Sequence, residues 1–89
     1  MTKIQKEKQN KKEDFIKACE YHGWVMNRWG ALEKVKNGRS YRIKFKDRVA
    51  RYEALAKSGT WVRLGSANIT DLCAFVDLDG QFKMSGFKR

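Results

Sequence analysis

The dipeptide Asn37-Gly38 constrains this chain more than any other feature. Both central positions of a tight type I′ hairpin need a positive φ, which Asn and Gly tolerate best. Apolar and polar residues alternate on either side, so the segment reads as two antiparallel strands at about 31–36 and 39–46. A two-residue turn then sets Lys36 opposite Arg39, Val35 opposite Ser40 and Leu32 opposite Ile43. It also sets Glu33 against Arg42, an attractive cross-strand pair.

The second of these strands sorts its side chains by parity. Tyr41, Ile43 and Phe45 face one way, and Arg42, Lys44 and Lys46 face the other. One face can be buried against a helix. The other is a row of cations.

A helix is expected at about 10–22, because Phe15, Cys19 and His22 recur at helical spacing and Gly23 suits a left-handed stop. Residues 1–9 read as a flexible basic arm ahead of a single small domain, 10–89. Trp24 to Trp29 reads as a short strand or an irregular apolar link, with at least one of the tryptophans in the core. Residues 47–57 fit either a helix or a strand, with strand–loop–strand favoured before the good strand Thr60–Leu64. Ile69, Leu72, Cys73 and Val76 again follow helical spacing, which predicts a short C-terminal helix ended by Gly80. The tail Gln81–Arg89 is read as a last edge strand or a loose end.

The expected class is therefore α+β: an N-terminal helix, a three- or four-stranded antiparallel sheet and a short C-terminal helix. In element order and charge this resembles double-stranded-RNA-binding domains and the three-stranded-sheet DNA readers of some integrases. The lysine-rich start of the last helix and the proline-containing loop of the RNA-binding family have no counterpart here.

Composition adds the class of partner. The chain has 89 residues and a net charge of +10. Residues 1–51 hold 15 Lys/Arg against 6 Asp/Glu, so nearly all of the excess lies there. One-sided positive charge attracts polyanions and speeds encounter with them. The candidate nucleic-acid contacts are Lys34, Lys36, Arg39, Arg42, Lys44, Lys46, Arg48 and Arg51, extended by Lys11 and Lys12 at the helix start. They would neutralise phosphates and release counterions. Trp29 and Trp61 are candidates for stacking on bases, while most other aromatics are expected in the core.

The expected partner is DNA or RNA, gripped with little sequence selectivity. The alternative is an acidic host protein surface, met by a small phage- or mobile-element-type regulator or inhibitor that fills a nucleic-acid-binding groove. An RNA-associated accessory protein is a third reading.

No membrane partner is expected, since no apolar run approaches the ~18 residues of a spanning helix. The polar start of the chain lacks the apolar stretch of a secretory signal, so a cytoplasmic location with reduced thiols is expected. No enzyme is expected. Cys19, His22 and Cys73 number three ligands where a structural zinc site takes four, so the thiols read as small packing groups. Asp71, Asp77 and Asp79 could be imagined as a nuclease site, but Asp77-Leu78-Asp79-Gly80 is more simply a turn. No cofactor is expected.

Overall fold

The computed structural model describes residues 11–89. The expected arm at 1–9 lies outside them, and so does the side chain of Lys11. Helix α1 (Lys11–Tyr21) buries Phe15 and Cys19 and leaves Lys12, Glu13, Asp14, Lys17 and Glu20 in solvent. It ends in a Schellman motif: the Trp24 amide donates to the Cys19 carbonyl at 3.0 Å and the Gly23 amide to that of Glu20 at 3.2 Å. Gly23 adopts the left-handed φ of 98° that this cap requires. The cap turns the chain so that Trp24 is buried beside the helix it follows.

Five strands come next, β1 (Val25–Met26), β2 (Leu32–Lys36), β3 (Arg39–Lys46), β4 (Val49–Leu55) and β5 (Trp61–Asn68). They form one antiparallel sheet in the order β1-β2-β3-β4-β5, each strand beside its chain neighbour. Asn37 and Gly38 take φ values of 54° and 78°, as a type I′ turn demands, and the pairs Leu32–Ile43, Glu33–Arg42 and Lys36–Arg39 form. A second two-residue turn, Asp47-Arg48, joins β3 to β4. The ambiguous 47–57 segment is thus mostly strand, with a bulge between β4 and β5 at Tyr52/Glu53.

The inner face of the sheet packs on α1. Leu32, Ile43, Ala50 and Ala67 share a core cluster with Phe15, Cys19, Trp24 and Leu72. Phe15 meets Phe45 and Phe87 edge-on, with each pair of ring centroids 6.4 Å apart.

The C-terminal part differs from expectation. Among the described residues the short C-terminal helix is absent, and a five-stranded sheet with a separate two-stranded one replaces the expected sheet of three or four. Asn68 caps a single 3₁₀ turn (Ile69–Asp71), after which β6 (Cys73–Val76) and β7 (Phe82–Ser85) form a separate hairpin. The resemblance to helix-closed RNA- and DNA-binding layouts ends there. The physical reason is that a short apolar run fits two periods. Leu72 and Ala74 point inward while Cys73 and Phe75 point out, a period of two. The Asp77 carboxylate then organises the turn by accepting from the amides of Asp79 and Gln81, each at 2.9 Å. The Gln81 amide, with Lys83 and Asp79 adding to it, holds that carboxyl below the usual range. A helix would have needed Gly80 as its end; instead Gly80 closes the hairpin at φ 80°.

The tail returns to the sheet. Ser66 and Lys88 exchange two backbone hydrogen bonds of 2.8 Å across the outer edge of β5. Gly86 sits at φ 107°, and a Cβ there would run into the Asp71 carbonyl.

Ile43 is fully buried at the middle of the sheet. Ile43→Ala should cost ~2–5 kcal/mol in denaturant unfolding, as for a well-packed aliphatic side chain. Cys19 is buried and Cys73 exposed. Burial pushes the Cys19 thiol from 9.0 up to about 12, helped by the Glu20 carboxylate and opposed by Lys34. Cys73 alone should therefore react with a thiol reagent at pH 8, and Cys19 only after unfolding. Because the Cys19 thiol ionises at lower pH unfolded than folded, stability should hold below about pH 9 and fall as pH rises toward about 12. Urea midpoints across that range check this.

Candidate nucleic-acid interface

Side chains directly opposite one another on paired strands share a face. On the outer face, away from α1, one row runs Val25–Glu33–Arg42–Glu53–Arg63 through five strands. Its four charges alternate in sign. The Arg42 Nε donates to Glu53 Oε1 at 2.6 Å, and the Arg42 guanidinium lies 3.9 Å from the centre of the Trp61 ring. Glu53 is only 8% exposed beneath them. Glu33 in turn accepts from the Asn27 side-chain amide at 2.9 Å. This row neutralises itself.

The next rows do not. Lys44 stands directly opposite Arg51, whose other neighbour is Ser66. Lys46 stands opposite Val49, whose other neighbour is Asn68. Lys44, Lys46 and Arg51 are all exposed, and none makes an ion pair among the described residues. Directly paired side chains have Cβ atoms roughly 4.5–5.5 Å apart, so the Lys44–Arg51 juxtaposition is repulsive. Together with Asp47, Phe45 and Val49, these three cations line a groove of about 320 Å³ at the β3–β4 turn. Arg48 is exposed in that turn, and its carbonyl accepts from the Ile69 amide at 2.7 Å.

The eight predicted contact residues therefore do not form one patch. Lys44, Lys46 and Arg51 come together, with Arg48 beside them. Arg42 shares their face, but its guanidinium is committed to Glu53 and Trp61. Lys34, Lys36 and Arg39 fall on the inner-face side, because Lys34 pairs with Tyr41 and Lys36 with Arg39. Lys34 Nζ donates to the His22 carbonyl at 2.8 Å, tying the end of α1 to β2. Arg39 lies over the Tyr41 ring at 5.7 Å, and Lys12 over the Phe45 ring at 5.2 Å.

The two tryptophans separate as well. Trp61 covers Arg42, and its ring is partly hidden by that contact. Trp29 is 80% exposed in the β1–β2 turn, where Asn27 Oδ1 accepts from the amides of Trp29 and Ala31. Arg63, which completes the neutral row, was not among the sequence candidates. Its signal was its place two residues beyond Trp61 in an alternating strand, although the bulge hides which residue it opposes.

Among the described residues, no group of three or more His, Cys, Asp or Glu side chains could hold an ion. Cys19 Sγ points to Met84 Sδ at 4.0 Å, and the His22 ring stacks on Phe82 at 4.4 Å. No described helix is long and apolar enough to cross a membrane. Comparison with protein-family models, curated proteins and solved structures gives no match.

Lys44→Glu should stabilise the fold by ~0.2–1 kcal/mol at low salt, by turning a repulsive cross-strand pair into an attractive one. The gain should shrink as salt screens it. Thermal melts at two ionic strengths check both statements.

Proposed function

We propose that the protein binds nucleic acid through the backbone phosphates, using Lys44, Lys46 and Arg51 on the outer sheet face with Arg48 at its edge. The observation that carries this reading is the contrast between adjacent rows. One row balances every charge internally, and the next leaves two cations directly opposed with no acid between them. An unbalanced pair of this kind weakens the free fold and is relieved when an anion settles on it. Arginine and lysine on a flat strand surface suit phosphate oxygens, with arginine adding a planar two-donor fork.

Such contacts position a protein on a nucleic acid but carry little sequence information. Weak selectivity among sequences is expected. Neutralising phosphates releases counterions, so affinity should fall steeply with salt.

The test is a salt titration of oligonucleotide binding by anisotropy. The triple variant Lys44→Ala, Lys46→Ala, Arg51→Ala should keep the fold and flatten the slope of log K against log salt by ~2–3, given a loss of roughly 0.7–0.9 per phosphate contact. Unchanged affinity and slope would remove these residues from the interface. Arg42→Ala should act differently, lowering stability by freeing buried Glu53.

A further inference from the structure

On the other side of the sheet, a solvent-open cleft of about 390 Å³ lies between the inner face and the β6–β7 hairpin. Its floor is aromatic: Trp24, Tyr41 and Tyr52. The Tyr41 and Tyr52 rings are stacked, their centroids 6.0 Å apart and their planes 25° from parallel. Phe82 and Met84 form the far wall, with Gln81 beside them. Lys34 and Lys36 also line the cleft, and no carboxylate does. Lys34 is already engaged with the His22 carbonyl, whereas Lys36 is exposed and makes no ion pair among the described residues. Arg39 adds a further positive charge over Tyr41.

This combination selects a ligand chemistry. A stacked pair of rings can be extended by one more planar ring. Cations at the side take an attached anion. The volume falls within the roughly 300–1,000 Å³ of small-molecule sites. A base held inside a duplex cannot enter, because its faces are covered by its neighbours. We infer that this cleft holds one unpaired nucleotide of a single strand, its base extending the Tyr41–Tyr52 stack and its phosphate at Lys36. The inference rests on nucleic acid being the ligand, but it uses the opposite face from Lys44, Lys46 and Arg51 and can fail separately.

The experiment is an NMR titration of ¹⁵N-labelled protein with oligothymidylate and with a duplex of matched length. The single strand should shift the Trp24 indole and the amides of Lys36, Gln81, Phe82 and Met84, and the duplex should leave them still. Tyr41→Leu should weaken oligothymidylate binding by roughly 5- to 150-fold, the range for loss of one base–aromatic stack. Lys36→Glu, a change at an exposed position that leaves the core untouched, should weaken it as well, with duplex affinity held in both variants. Shifts confined to the Lys44, Lys46 and Arg51 region, with both cleft variants binding as the parent does, would overturn the inference and leave the outer-face reading intact. Cleft shifts that persist in the Lys44, Lys46, Arg51 triple variant, with its affinity unchanged, would support the cleft and overturn the outer-face reading.

Discussion

Strand register governs every other property of this molecule. Two tight turns, Asn37-Gly38 and Asp47-Arg48, fix β2, β3 and β4 against one another. A slip of one residue would exchange Ile43 for Arg42 or Lys44 and reverse the two faces completely. With the register set, Leu32, Ile43 and Ala50 fall into a single buried layer over which Phe15 and Cys19 of the helix can lie. The outer face is fixed by the same choice. Glu33, Arg42, Glu53 and Arg63 are neutral as a row only because each meets its neighbour head-on.

Charge on the outer face is thus partitioned rather than spread. Arg42 and Glu53 support the fold: their pair is largely shielded from water by Trp61, and losing either partner would strand a charge. Lys44, Lys46 and Arg51 contribute no comparable contact to the folded chain. They resemble the locally unfavourable arrangements that proteins retain at binding surfaces, where some stability is exchanged for activity.

The Asn-Gly turn, the parity of Tyr41–Lys46 and the helix stop at Gly23 were all legible in the sequence, because each depends on backbone conformation or on neighbours a few residues away. The division of the candidate cations between the two faces was legible as well: Lys34, Lys36 and Arg39 do not share the face of Arg42, Lys44 and Lys46. A two-residue turn that pairs Lys36 with Arg39 puts both on the side of Tyr41. The C-terminal region was misread. Ile69, Leu72, Cys73 and Val76 satisfy a helical period by coincidence, and what decides the matter is distant: Ala74 and Met84 pair across a hairpin whose turn is organised by the Asp77 side chain. The cleft was equally hidden, since it exists only where β7 comes to lie near β3 and β4. Its tyrosines, expected in the core, are half-buried and pack against the core cluster from the side that lines the cleft.

The return of the tail to β5 has its own consequence. A five-stranded meander has two borders, and a bare border invites pairing with the border of another molecule. Here Lys88 occupies one rung beside Ser66, and the Phe87 side chain lies over Gly65, where even a methyl group would crowd it. The seal is short, a pair of hydrogen bonds and one ring, so it is a place where the structure can open while the rest stays folded. Loosening those few residues would bare the outer edge of β5, the kind of edge that pairs with another copy.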